Sequence, residues 1–161
     1  MVAVGGSGVG RALIEKVVDA YPLAKKAVPE LRMIVVTGPR IDPGAFPERA
    51  GLELHGYVHR LYEHLCACDL AIVQGGLTTT MELTAAKRPF LYFPLGHHFE
   101  QNFHVRHRLE RYGAGTCLDY ATTDPDLIAA RIAELAGKPV DYRDVETDGA
   151  ARAAQLIAEL V

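Results

Sequence analysis

The sequence predicts an α/β fold: a Rossmann-like parallel sheet of about six strands with helices on both faces, in a chain of 161 residues. Three observations predict it. Short apolar runs rich in β-branched or aromatic residues alternate with longer segments of helical spacing. Glycine or proline stands near the ends of those runs, where the chain must turn. The strand-then-helix order repeats along the chain, and repeated crossovers of that kind produce parallel strands.

Taken in order, residues 2–4, 33–37, 52–55, 70–73, 90–93 and 116–118 read as strands. Between them, residues 10–20, 60–67, 80–86, 100–112 and 125–136 carry helical spacing. In the last of these Leu127, Ala130, Ile132 and Leu135 form an apolar stripe. A final helix over 148–160 follows the polar stretch 141–148. A chain of this length fits one domain, large enough to bury a core without disulfides.

The bulk numbers narrow the function classes. The net charge is −3, from 17 Lys+Arg against 20 Asp+Glu, with no basic tract, so nothing favours a nucleic-acid partner. The longest apolar runs, such as 33–36 and 70–73, are too short for a transmembrane segment, and the N-terminus lacks a basic signal-peptide region. Three irregularly spaced cysteines, Cys66, Cys68 and Cys117, argue against a disulfide framework and fit a reducing, cytoplasmic compartment.

Parallel sheets of this kind bind ligands where strand-to-helix loops gather, at the carboxyl ends of the strands. The first such loop is Gly5-Gly6-Ser7-Gly8-Val9-Gly10. Its glycines permit close approach of an anion, and the free N–H groups of the following helix favour phosphate. The same turn also serves as a plain connection. Read from Gly6, a dinucleotide fingerprint would need glycine at Arg11, and the second strand ends in Thr37-Gly38-Pro39-Arg40 rather than an acid. No Gly-Lys-Ser/Thr follows, so the P-loop pattern fails as well.

The second loop, Gln74-Gly75-Gly76-Leu77-Thr78, again runs from strand to helix, and Glu82 follows it. Glu82 has two readings. It closes a capping box with Thr79, or it accepts protons from ribose hydroxyls, and spacing does not choose between them. The third loop brings His97, Glu100, Gln101 and Asn102 to a helix start. An acid and two amides suit vicinal sugar hydroxyls, while Glu100 alone also fits as a first-turn acid on the helix dipole. His97, His98, His104 and His107 follow no metal motif, and no metal site is expected. Two phosphate-friendly turns and one hydroxyl-friendly turn describe a site for a nucleoside diphosphate sugar.

In order, Gly5 to Gly8, Gly56-Tyr57-Val58, Gly75-Gly76-Leu77-Thr78 with Glu82, Pro94 with Glu100-Gln101, and Gly113-Ala114-Gly115 resemble the C-terminal domain of glycosyltransferase family 28, over residues 2–136. The likeness is greatest to its peptidoglycan N-acetylglucosaminyltransferase branch. The resemblance implies one half of a GT-B fold. It places Gly6, Ser7 and Gly8 at the diphosphate, Tyr57 and Val58 with Leu61 at the uracil, and Gly75, Gly76, Leu77 and Thr78 at the phosphates. It gives Glu82 to the ribose, and Glu100, Gln101 and Asn102, with His97 beside them, to the sugar. The chain departs from the family pattern at Gln74, Phe99 and Val105, and Lys87 stands in a turn that usually holds glycine.

The resemblance further implies inverting, metal-independent transfer from a UDP-sugar, UDP-GlcNAc or a UDP-hexose, which is substrate rather than cofactor. The general base and the acceptor groove would belong to an N-terminal domain or partner subunit absent from this chain. Residues 1–161 would then be a single donor-binding domain with no catalytic residue of its own, inactive in isolation. Half of a sugar-nucleotide epimerase, or a non-catalytic nucleotide-binding α/β module, would share the same loops.

Overall fold

The strand runs become a parallel sheet because their residues can be buried on both faces. In the computed structural model, which describes residues 1–160, six strands pair in the order β3-β2-β1-β4-β5-β6. They are β1 (Val2–Ala3), β2 (Met33–Val36), β3 (Leu52–His55), β4 (Ala71–Gln74), β5 (Phe90–Phe93) and β6 (Thr116–Cys117). Every pairing between these strands is parallel. This is the doubly wound order that reverses direction at β1. Val2 pairs with Val35 on one side and Ile72 on the other, so the crevice between β1 and β4 lies at that reversal.

Alternate strand residues feed two cores. Val35, Ile72 and Leu91 face the layer built by α1 (Arg11–Ala27) and α5 (Pro125–Leu135). Ala71, Val73, Phe90 and Tyr92 face the layer of α2 (Leu61–Ala67), α3 (Leu77–Ala85) and α4 (Arg106–Tyr112). Lys16 of α1 fastens the first layer: its ammonium donates to the Tyr120 and Thr123 carbonyls at 2.6 and 2.8 Å. Helix α6 (Gly149–Ala158) buries none of its residues, and Leu156 and Ile157 stand exposed on it. Among the described residues no helix is long and apolar enough to cross a membrane.

Every expected strand forms, within a residue at each end. Three helices differ from expectation, each for a local reason. Helix α1 continues through Pro22 to Ala27, where a stop at residue 20 was expected. The bond lost at Pro22 is offset because Tyr21 and Ala24 on either side are buried, and the Tyr21 hydroxyl donates to the Ala50 carbonyl at 2.7 Å. Helix α3 starts at Leu77 rather than 80. Its threonines bond back into the helix, Thr80 to the Gly76 carbonyl at 2.9 Å and Thr84 to the Thr80 carbonyl at 2.7 Å, which satisfies their buried hydroxyls. The helix expected over 100–112 opens as a π-helix, Glu100–Val105, before α4 takes over. The wider turn buries Gln101 and Val105 together while Phe99 and Phe103 stack outside, ring centroids 4.7 Å apart.

Lys87 closes α3 with φ +50°, in the left-handed region where glycine is at home. The N–H groups of Lys87 and Arg88 donate to the Thr84 and Leu83 carbonyls, the paired bonds of a Schellman end. Its ammonium meets Asp144 at 2.7 Å, both side chains largely exposed. Relief of left-handed strain outweighs an exposed ion pair, so Lys87→Gly should stabilise the fold by about 0.5–1 kcal/mol. Denaturant unfolding checks this, and a fall in midpoint would show that the Asp144 contact dominates.

Candidate functional site

The sequence places three glycine- or amide-bearing loops after β1, β4 and β5, and the sheet order sets them side by side. After β1 the chain turns through Gly8 at φ +85° and enters α1 with Gly10 as N-cap. A Cβ on Gly10 would lie 2.3 Å from the Val4 Cβ, so only glycine lets α1 approach β1 this closely. That role belongs to the last glycine of the phosphate-binding fingerprint. Counted from Gly5, Gly10 stands in that sixth place, with Ser7 where the middle glycine would be. The signal was therefore present in the sequence one residue earlier than the Gly6 frame.

The helix starts at this crevice are bare. Neither α1 nor α3 has a side-chain cap or an acidic residue in its first turn. Helix α5 shows the contrast: Asp124 caps it, accepting from the Leu127 N–H at 2.8 Å, and Asp126 follows in the first turn. The bare ends leave unpaired N–H groups and the positive dipole ends of α1 and α3 facing the β1–β4 crevice. Gly6, Ser7, Leu77 and Thr78 lie there with little cover, Gly8 and Gly76 are half-buried, and Gly75 is buried.

Lateral contacts hold the loops in place. The Gln74 side-chain oxygen accepts the Gly5 N–H at 3.1 Å and ties the β4 end to the first loop. A Cβ on Gly75 would meet the Pro94 Cα at 3.2 Å, so the β4 and β5 loops are in contact too. In the β5 loop Gln101 is only 9% exposed, and its side-chain oxygen accepts the Leu95 N–H at 2.9 Å. Asn102 donates to the Leu95 and His98 carbonyls at 2.6 and 2.9 Å. Each amide thus spends half of itself on its own loop; Gln101 keeps its NH₂ and Asn102 its oxygen. His97 and Glu100 are exposed beside them.

Glu82 lies well inside α3, whose N-cap is Gly76, so Thr79 caps nothing and the capping-box reading fails. The carboxylate is half-buried and has no hydrogen-bond or ion-pair partner among the described residues. Burial pushes its pKa above the usual carboxylate range. It faces α2: burial raises the Cys66 thiol pKa, and the Glu82 charge beside it raises it further. Leu61 begins α2 half-buried, Val58 precedes it half-buried, and Tyr57 is 74% exposed near the start of the loop after β3. No group of three or more His, Cys, Asp or Glu that could hold a metal occurs among the described residues. All three cysteines are free thiols.

Comparison with known proteins gives a family match, relatives and structures of similar fold. The model of the glycosyltransferase family 28 C-terminal domain matches residues 1–161. An uncharacterised glycosyltransferase of Methanopyrus kandleri is 29% identical over 163 residues, taking in 98% of this chain and 44% of its own length. A UDP-N-acetylglucosamine–N-acetylmuramyl-(pentapeptide) pyrophosphoryl-undecaprenol N-acetylglucosamine transferase of Carboxydothermus hydrogenoformans is 33% identical over 148 residues, 86% of this chain and 38% of that one. The chain spans less than half the length of these relatives. The crystal structure of Acinetobacter baumannii MurG superposes with a TM-score of 0.72 over 98% of this chain and 49% of its own, at 17% identity, a likeness of fold.

The Glu82 geometry sets a pH dependence. A carboxyl whose folded pKa is raised destabilises the native state once ionised. The penalty is absent below the ordinary carboxylate pKa and is complete above the raised one. Glu82→Gln should therefore melt like the parent below the ordinary carboxylate pKa and increasingly above it as the pH rises through the raised one. Melting curves across that range check the sign; a constant offset would mean the carboxyl is not desolvated.

Proposed function

The chain belongs to glycosyltransferase family 28 as its C-terminal domain, and from that premise we propose that it binds the UDP-sugar donor, UDP-GlcNAc or a UDP-hexose, of an inverting, metal-independent transfer. The observation that carries the reading is the pair of uncapped helix starts, α1 and α3, at the β1–β4 crevice, with an unpartnered half-buried carboxylate on α3. Bare N-termini suit a diphosphate. A carboxylate with open acceptor sites suits the two hydroxyls of a ribose.

In this reading Gly6, Ser7 and Gly8 with Gly75, Gly76, Leu77 and Thr78 cradle the diphosphate. Val58 meets the uracil edge through its backbone, with Tyr57 and Leu61 as neighbours, and Glu82 holds the ribose. The free halves of Gln101 and Asn102, together with Glu100 and His97, meet the sugar hydroxyls. An acceptor hydroxyl attacks the anomeric carbon from the face opposite the diphosphate, the C–O bond to UDP breaks, and the bond that forms has inverted configuration. Negative charge gathers on the leaving diphosphate, where the two helix ends stabilise it without a metal. The base that takes the acceptor proton and the acceptor groove belong to an N-terminal domain or partner subunit. The transfer is cytoplasmic, uses no cofactor, and is not performed by residues 1–161 alone.

Thermal-shift titration of the chain with UDP, UDP-GlcNAc, UDP-glucose and dTDP-sugars tests the reading. Donor at a hundredfold excess over its dissociation constant should add about 2.7 kcal/mol of stability. Glu82→Ala should weaken UDP and its conjugates alike, whereas Gln101→Ala should weaken the sugar conjugates and spare UDP. Unchanged UDP affinity in Glu82→Ala, or a response only to some other nucleotide, would sink the proposal.

A further inference from the structure

Beyond the residues already placed, the β2 end contributes a charged group to the same crevice. The turn after β2, Thr37-Gly38-Pro39-Arg40, packs directly on the glycine loop after β1. A Cβ on Gly38, at φ +80°, would lie 3.3 Å from the Gly5 carbonyl and 3.6 Å from the Gly6 Cα. One on Gly6 would meet the Pro39 ring at 3.8 Å, and one on Gly8 would meet the Arg40 Cβ at 3.6 Å. Arg40 thus springs from backbone in contact with the loop that faces the α1 helix start.

The turn is built to hold Arg40 still. The buried Thr37 hydroxyl donates to the Ile41 carbonyl at 2.8 Å, the Ile41 N–H donates to the Gly38 carbonyl, and the Ile41 side chain is itself buried. The guanidinium, by contrast, is exposed and has no hydrogen bond or ion pair among the described residues. The other arginines near these strand ends are engaged: Arg11 with Glu15 at 2.9 Å and Arg60 with Glu63 at 2.6 Å. The carboxylate nearest in sequence, Asp42, accepts the Gly44 N–H at 3.0 Å and caps its own 3₁₀ turn. A fixed backbone and an uncommitted planar fork suit bidentate contact with phosphate oxygens.

We propose that Arg40 reaches over Gly8 to bind the diphosphate of the nucleotide donor, adding a fixed positive charge to the uncapped helix ends. The inference rests on the donor-binding reading above and extends it to a residue on a different strand. It also supplies a cation at the leaving group in a transfer that uses no metal.

Calorimetric titration of the whole chain with UDP, UMP and uridine separates the possibilities. Arg40→Gln should weaken UDP by about ten- to a hundredfold, the worth of a charge-assisted hydrogen bond, and leave uridine unchanged. Arg40→Lys should recover part of the loss, and the salt dependence of UDP binding should flatten in Arg40→Gln. Equal UDP affinity in Arg40→Gln and the parent overturns the inference, as does an equal loss for UDP and uridine, which would mark Arg40 as structural. If the parent binds no nucleoside diphosphate, the donor-binding reading itself falls and takes this inference with it.

Discussion

The contact between Gly10 and Val4 is the constraint on which the carboxyl edge of this sheet depends. Helix α1 cannot begin where it does unless its N-cap residue has no side chain, because a methyl there would overlap the Val4 side chain. The close approach aims the first-turn N–H groups of α1 back at the end of β1, across the crevice from those of α3. A helix lifted away by even one methylene would also carry off the Gly5 N–H that Gln74 holds and the Gly8 backbone that Arg40 abuts. Packing in the core and the position of an anion site are thus set by the same atom pair.

From there the loops brace one another across the sheet. Gly38 touches Gly5, Gln74 holds Gly5, Gly75 touches Pro94, and Gln101 holds Leu95, so the ends of β2, β1, β4 and β5 form one connected rim. A rim of this kind arrives at a ligand already ordered, and the cost of immobilising it is met during folding rather than on binding. Few carboxylates oppose an anion there: Glu82 lies back between α3 and α2, and Glu100 stands exposed at the β5 end.

Much of this was legible in the sequence, and the exceptions have physical causes. The inner strands β1, β2, β4 and β5 were readable because strands buried on both faces are written as nearly uninterrupted apolar runs, and β3 because Leu52 and Leu54 alternate with polar residues. The three helix spans that differ turn on Pro22, on the threonines after Gly76 and on the joint burial of Gln101 and Val105. In each case an unfavourable local preference is overridden by burial or by side-chain bonds to the backbone that no window of sequence displays. At the site, Glu82 was ambiguous because a capping box and an internal helix carboxylate share one spacing, and only the position of the helix start separates them. The bonds from Gln74 to Gly5 and from Gln101 to Leu95 join different loops or opposite sides of a turn, so neither has a periodic signature.

The position of β1 between β2 and β4 also orders events in time. Its two residues pair first with a strand some thirty positions later, and the other flank stays open until residues 71–74 exist. A ribosome delivering this chain from its N-terminus would release β1, β2 and β3 as a three-stranded half-sheet with an unsatisfied inner edge, and β4 would then close it. The crevice proposed for the nucleotide is therefore a seam between an early half and a late half of the polypeptide. It comes into being in the same step that shields the open edge of the nascent sheet.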